Sequence, residues 1–185
     1  MEMTDVMAKT QWIMDPAHTE IGFKVKHLVF STMRGTFKQF DAGIFTNGTD
    51  FSSAEIKVSI QADSVHTGAD KRDQHLRSAD FFDTEHFKDI TFSSSMIEPA
   101  NDEKQYALSG DLAIKGMTRK IVLQVELNNL IKDPWGMERA LFTISGIINR
   151  KDWGLNYNAA LETGGVLISE EVSIQCEVQL IKQEK

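Results

Sequence analysis

Two histidines and one arginine lie in and around a stretch of regular alternation near the start of the chain. His18, His27 and Arg34 flank a run in which apolar and polar residues alternate. As a set they are suited to hold a polar or anionic headgroup, and Arg34 would be the natural partner of a phosphate. The structural alternative is that His18 tethers the Asp15-Pro16 turn and that Arg34 pairs with a surface acid.

Two further groups of polar residues have the types needed for ligand or metal binding. Arg150 lies in the cluster N-R-K-D-W-G, which is suited either to the rim of a binding site or a dimer contact, or to a strand-to-loop junction held by Arg150. The other group lacks a compact metal motif such as H-E-x-x-H, so we interpret it as a solvated helix with its flanking turns and predict no metal site. This second group comprises Asp70, Asp73, His75, Asp80, Asp83 and His86.

Motifs for enzymatic catalysis are missing from the sequence. It contains no G-x-S-x-G elbow, no Walker A motif and no G-x-G-x-x-G phosphate loop. Asp15 and His18 are close together, but no serine or thiol nucleophile is marked beside them. Cys176, the one cysteine, is in phase with apolar neighbours and is predicted to be a buried small side chain. The sequence therefore predicts neither an enzyme nor a resident cofactor.

Alternating segments make up most of the chain and predict β-strands. Ile21, Phe23 and Val25 occupy every second position of one run, with charged residues between them. The runs continue to Ile168–Ile181, broken by polar turns and by one predicted helix at Asp70–Ser78. Eight consecutive antiparallel strands would leave exposed edges unless the sheet closes. We therefore predict an all-β, eight-stranded antiparallel barrel with one short helix, spanning residues 12–182 after a tail at 1–11.

Length and charge narrow the class of protein further. The chain has 185 residues and a formal net charge of −7, which argues against non-specific nucleic-acid binding. The first residues carry two acids before the first lysine and no apolar run, unlike a signal peptide. No stretch approaches the roughly 20 apolar residues of a membrane span. The expected location is the cytoplasm, or the periplasm if a signal was removed.

Five stretches in order resemble the YceI-like family of lipid-binding proteins. They are W-I-M-D-P-A-H-T with I-G-F-K-V-K-H-L, M-R-G-T-F, D-K-R-D-Q-H-L-R-S-A-D-F-F-D, L-S-G-D-L-A-I-K-G-M-T-R and N-R-K-D-W-G-L. They cover roughly residues 12–181. Thr19, Lys88 and Lys120 stand where the family more often has Ser, Pro and Pro. Many relatives carry a secretion signal, whereas the first residues of this chain do not predict one.

The resemblance implies a lipocalin-like barrel with a long apolar channel for a polyprenyl lipid, an isoprenoid quinone or a similar amphiphile. It also implies a homodimer and a role in lipid binding, transport or storage. Two alternatives stay open, an enzyme acting on an isoprenoid or quinone at the tunnel mouth and a stress-related interaction domain whose barrel is filled by its own side chains. The predicted headgroup residues are His18, His27, Arg34 and Arg150. The predicted lipid-lining residues are Phe23, Val25, Phe37, Val58, Ile60, Phe92, Leu112, Ile114, Leu123, Val125, Phe142, Ile144 and Ile174.

Overall fold

A computed structural model describes residues 8–184, and most of these residues form strands. One α-helix, α1, spans Asp70–Arg77, and short 3₁₀ turns span Ala62–Ser64 and Arg150–Trp153. The strands are β1 (Thr10–Met14), β2 (Glu20–His27), β3 (Ser31–Phe37), β4 (Phe40–Asn47), β5 (Asp50–Gln61), β6 (Val65–His66), β7 (Asp89–Pro99), β8 (Gln105–Ile114), β9 (Met117–Lys132), β10 (Glu138–Asn149) and β11 (Ile168–Lys182).

The alternating sequence pattern corresponds to alternating burial in the strands. In β8, the alternate residues Leu108, Gly110, Leu112 and Ile114 are buried, whereas the residues between them are partly exposed. Successive side chains of a strand point to opposite faces, so the apolar set of each strand faces the barrel interior. Burial of these apolar faces is the main stabilising contribution to the fold.

Eight strands form a closed antiparallel barrel, as the sequence predicts. The ring runs β1, β4, β5, β7, β8, β9, β10 and β11, and it closes because β1 also pairs with β11. Closure leaves no open edge in this ring. From β7 to β11 the order is the simple meander expected from the sequence.

The first third of the chain departs from that meander. Strand β11 pairs with β2 along its first half and with β1 near its end, where Leu180 faces Met14. The β2–β3 hairpin therefore extends one wall of the barrel beyond the closed ring. Residues Thr10 and Gln11, predicted to be tail, already belong to β1 and pair with β4. Residues 1–7 of the predicted tail lie outside the described residues.

An ionic cluster fixes the bend between β1 and β2. The Arg139 guanidinium donates hydrogen bonds at 2.8 Å to Asp15 and at 2.8 Å to Asp133. His18 also contacts the Asp15 carboxylate, at 2.9 Å. Burial acts to raise the pKa of Asp15, but the hydrogen bonds from Arg139 and His18 and from a backbone N–H outweigh it and lower the pKa. The cluster joins this bend to the β9–β10 hairpin.

Helix α1 lies over the end of the barrel that the β2–β3 hairpin extends. Its apolar residue Leu76 is buried in the same core cluster as Phe81. The buried Asp73 carboxylate accepts hydrogen bonds from the Thr67 N–H at 2.9 Å and the Thr67 hydroxyl at 2.6 Å. Arg77 donates to the carbonyl of Asp63 at 2.8 Å. These contacts hold a short helix that would be marginal by itself.

Within residues 8–184, the structure has no helix with the length and apolar character needed to cross a membrane.

Candidate functional site: a hollow barrel and its mouth

The barrel encloses a cavity of about 930 Å³ whose walls are almost entirely apolar. This volume lies near the upper end of the roughly 300–1,000 Å³ typical of small-molecule sites. The interpretation as a barrel filled by its own side chains does not fit such a cavity. Every residue predicted to line a lipid channel borders it: Phe23, Val25, Phe37, Val58, Ile60, Phe92, Leu112, Ile114, Leu123, Val125, Phe142, Ile144 and Ile174.

The burial of individual side chains shows where the barrel is hollow. Phe23, Val58, Val125 and Ile144 point into the interior, yet each is only partly buried. An inward apolar side chain keeps exposed surface only when it borders open space, because a filled core covers its residues completely. These half-buried residues lie on β2, β5, β9 and β10, so open space extends between opposite walls.

Aromatic side chains close the barrel at the end away from α1. Trp12 is fully buried, and its indole N–H donates to the Thr46 hydroxyl at 2.8 Å. The Phe51 ring lies 5.0 Å from the Trp12 ring and 4.9 Å from the Phe142 ring, measured between centroids. Such tilted and edge-to-face contacts are favourable for aromatic pairs. This packed end forms the floor of the cavity.

The mouth of the cavity lies between the free edge of β3 and helix α1. Strand β3 pairs with β2 throughout but with β6 only at Thr36 and Phe37. Within the described residues, the outer edge of Ser31–Gly35 therefore has no strand partner. The cavity lining includes residues 31–34 of this edge and Lys71, Arg72 and His75 of the helix. A ligand can enter between these two elements.

Positively charged residues concentrate at the mouth. Arg34, Lys71 and Arg72 all border the opening. The Arg72 side chain is oriented by Thr67, to whose hydroxyl and carbonyl oxygens it donates at 2.7 and 2.9 Å. Among residues 8–184, the side chains of Arg34 and Lys71 make no ion pair or hydrogen bond. In a protein of net charge −7, three cations at one opening favour an anionic group there.

The predicted headgroup residues occupy different places. His27 and Arg34 border the cavity near its mouth. Arg150 also borders it, but its side chain is only 4% exposed. Its guanidinium donates to the carbonyls of Ser169 at 2.8 Å and Tyr157 at 2.9 Å, which is the junction role given above as the alternative. Burial lowers the pKa of Arg150. His18 does not border the cavity and binds Asp15, as the structural alternative proposed.

Sequence reasoning missed three polar residues at the mouth. Lys71 and Arg72 lie in the stretch interpreted as an ordinary solvated helix, and Tyr157 lies in the loop before β11. His75, on α1, makes an edge-to-face contact with Tyr157, with ring centroids 4.7 Å apart. The sequence did indicate that these residues lie together, because positions 71, 72 and 75 fall on one side of a helix. That side could not be assigned to the cavity before the helix was placed.

The remaining histidine–carboxylate contacts are separate pairs, and in one of them His66 lies 3.6 Å from the Asp73 carboxylate. His75 contacts Asp80 at 2.8 Å, and His86 contacts Asp83 at 2.9 Å. The hydrogen bond and the charge of Asp83 raise the pKa of His86. In the described part of the chain, no three His, Cys, Asp or Glu side chains converge as metal ligands would. Burial raises the pKa of Cys176 to about 11, so its thiol is protonated at neutral pH.

Comparison with known proteins shows which sequences and structures this chain resembles. Residues 12–180 match the YceI-like domain family. A UPF0312 protein of Staphylococcus aureus is 36% identical over 171 residues, covering 92% of this chain and 96% of the relative. The crystal structure of a Campylobacter jejuni YceI protein is 31% identical, with a TM-score of 0.75, and covers 92% of this chain and 96% of that one.

A more distant structure shares the fold. It is a polyisoprenoid-binding domain from Saccharophagus degradans, implicated in plant cell wall breakdown, with 19% identity and a TM-score of 0.72. The alignment covers 93% of this chain and 98% of that domain. At this identity the likeness extends to the barrel architecture alone.

Proposed function

This chain belongs to the YceI-like family, and from that premise and its cavity we propose that it binds a long-chain isoprenoid or similar amphiphilic lipid. The tail lies in the apolar barrel, and the head lies among the cations between β3 and α1. The observation that carries the proposal is the cavity of about 930 Å³, lined by apolar side chains and opening at a basic mouth. The polyisoprenoid-binding domain with the same fold supports the choice of ligand class.

Burial of a hydrocarbon tail in this cavity, unbranched or branched, is favourable in free energy. Each buried CH₂ group contributes about 0.8 kcal/mol, so one five-carbon unit contributes a few kcal/mol before losses. Ordering a flexible tail offsets part of that gain. Because apolar contacts have no direction, the walls select for length and girth more than for the chemical detail of the tail. We assign selectivity for the headgroup to Arg34, Lys71 and Arg72.

The test compares two substitutions on one strand. Ile144 borders the cavity, whereas Ile147, three residues later on β10, is 68% exposed on the outer face. Ile144→Glu places a carboxylate in the apolar cavity, so we expect uptake of a polyprenyl phosphate to fall at least roughly tenfold. Ile147→Glu, the matched control, should bind like the unmodified protein. Uptake is measured by native mass spectrometry after delivery from detergent.

Circular dichroism establishes that both variants are folded. If Ile144→Glu does not fold, Ile144→Trp, which fills the same space without charge, replaces it. Equal uptake by the inner and outer variants would contradict placement of the tail in the barrel.

A further inference from the structure

Three consecutive apolar residues protrude at the tip of the β2–β3 hairpin. Phe30 is 90% exposed, and Leu28 and Val29 are each roughly half exposed. Val166, on the loop before β11, is also exposed and belongs to the same surface, since the Leu28 N–H donates to the neighbouring Leu167 carbonyl at 2.9 Å. Soluble proteins expose single apolar side chains freely, but a contiguous exposed group marks an interaction site.

The backbone of this tip does not explain its residue types. Leu28 and Val29 have φ angles of +52° and +66°, and the Phe30 N–H donates to the Leu28 carbonyl at 2.7 Å. Tight turns with positive φ favour glycine and asparagine, whereas a β-branched residue there is strained. Leu-Val-Phe is therefore a poor choice for turning the chain. Strain that the fold does not require points to a function for the side chains.

The hairpin that carries the tip is strongly basic. Between Ile21 and Phe40 the sequence has four cations, Lys24, Lys26, Arg34 and Lys38, and no carboxylate, although the whole chain has a net charge of −7. Lys24 and Arg34 are direct partners across the hairpin, and like charges so placed repel each other. An external anionic surface would relieve that repulsion.

The carboxylates near the tip are Glu162 in the loop at residues 154–167, Asp70 at the start of α1, and Glu170 and Glu171 where β11 bulges beside β2. None of them pairs with Lys24, Lys26 or Arg34 in the described structure. Glu170 pairs with Lys151 at 2.6 Å, and the Lys26 amine donates to the Thr32 hydroxyl at 3.0 Å. The cations of the hairpin therefore keep their charge available for an external partner.

The tip adjoins the mouth of the cavity. His27 and Ser31, the residues immediately before and after it, both border the cavity, as does Leu167 on the neighbouring loop. A surface that engages this tip thus meets the opening through which a lipid would pass. Apolar insertion combined with neighbouring cations is the combination that binds peripheral proteins to anionic membranes.

We propose that the β2–β3 hairpin docks this protein on anionic lipid bilayers, inserting Leu28, Val29 and Phe30 among the headgroups so that the cavity mouth faces the membrane. This docking surface rests on the proposed function, because it provides a route for a lipid between bilayer and barrel. Lys24 and Lys26, which do not border the cavity, contact the anionic headgroups around the inserted tip.

The test measures binding of the full chain to vesicles by co-sedimentation. The unmodified protein should bind vesicles of mixed phosphatidylglycerol and phosphatidylcholine, and bind vesicles of phosphatidylcholine alone much more weakly. Phe30→Ser should weaken binding roughly tenfold or more, because a large apolar side chain no longer leaves water. Replacing Lys24 and Lys26 together with glutamine should weaken vesicle binding roughly fivefold for each charge removed. The double replacement should also reduce the salt dependence of vesicle binding.

Two controls separate docking from general adhesion. Trp135→Ser removes a side chain that is 80% exposed in the β9–β10 hairpin at the other end of the barrel. Lys57→Gln removes an exposed cation from the outer face of β5. Both should bind vesicles like the unmodified protein. Equal losses in Trp135→Ser and Phe30→Ser, or no preference for phosphatidylglycerol, would overturn the proposal.

Sedimentation velocity distinguishes a bilayer from a second copy of the chain. If Phe30→Ser dissociates an oligomer and the unmodified protein ignores vesicles, the tip is a self-association surface and the proposal is overturned. Lipid uptake from detergent, which involves no bilayer, tests the proposed function independently. Uptake without vesicle binding would contradict docking alone, whereas vesicle binding without uptake would contradict lipid binding in the barrel alone.

Discussion

Two glycines let aromatic rings lie flat against the barrel wall. A Cβ added at Gly35 would collide with the Phe23 ring, and one at Gly110 would collide with the Phe92 ring. Both rings also border the cavity, so each glycine determines how far a phenylalanine reaches into it. The sequence predicts a bend or bulge at Gly110, and the register of β7 does shift beside it, but the covering ring could not be foreseen from the alternation of residues.

We predict that Gly35→Ala destabilises the protein by about 1–3 kcal/mol, the usual cost of overpacking. The added methyl group displaces Phe23 toward the cavity, so lipid uptake should decline as well. Gly43→Ala is the matched control, because its Cβ would meet only Phe45, at 3.8 Å. Urea unfolding gives the free energy of unfolding of both variants. Equal values would show that the Phe23 ring moves aside without destabilising the protein.

A second prediction concerns the head of the ligand. Arg34→Ala should weaken binding of a prenyl phosphate roughly tenfold and leave binding of the matching prenol nearly unchanged, because only the phosphate loses a charge-assisted hydrogen bond. Arg119→Ala, which removes an exposed arginine that does not border the cavity, serves as control. Equal weakening of both ligands would assign Arg34 a structural role instead.

At the scale of elements, the cluster around Arg139 links the β1–β2 bend to the β9–β10 hairpin. Hydrogen bonds from Arg139 and from backbone N–H groups lower the pKa of Asp133, and the pKa of Asp15 is also lowered. Their partner Arg139 has a raised pKa because of the same two carboxylates. Groups whose pKa is lower in the folded state stabilise it above their unfolded pKa, near 3.8, and this stabilisation is lost as pH falls through the folded pKa.

We therefore predict that Arg139→Gln lowers the melting temperature at pH 7 by at least about 2–4 °C, because it leaves two carboxylates without their partner. The difference from the unmodified protein should shrink below pH 4, where those carboxylates become protonated. Lys120→Gln, which breaks the exposed pair with Asp111, should change little at either pH. Melting curves at a series of pH values check this, and a pH-independent difference would contradict the electrostatic explanation.

Elements were predicted more reliably from the sequence than the contacts between them. The helix was expected at Asp70–Ser78, from a turn that ends at Asp70 and from Leu76, Ala79 and Phe82 at helical spacing, and it spans Asp70–Arg77, so that Ala79 and Phe82 lie beyond its end. The division of β11 between β1 and β2 was not predicted. Alternation shows which face of a strand is buried, but it does not identify the neighbouring strand.

At the scale of the whole molecule, the closed barrel followed from the number of alternating strands and the need to protect sheet edges. Its interior was harder to predict, since the same apolar residues would line a hollow barrel or fill a solid one. The side chains that decide this, Phe23, Val125 and Ile144 among them, differ from core residues only in remaining partly exposed. That exposure depends on the curvature of the whole sheet. The lipid-binding role of the lining residues, and the homodimer implied by the family resemblance, stay predictions.

The central claim, that the barrel holds a lipid tail, is tested most directly by identifying what the purified protein carries. Native mass spectrometry of the intact protein gives the mass and stoichiometry of a bound molecule, and organic extraction followed by mass spectrometry identifies it. We predict one long-chain isoprenoid, quinone or related amphiphile per barrel. A protein that is purified empty and remains at its unliganded mass after incubation with a polyprenol and a polyprenyl phosphate would contradict the account.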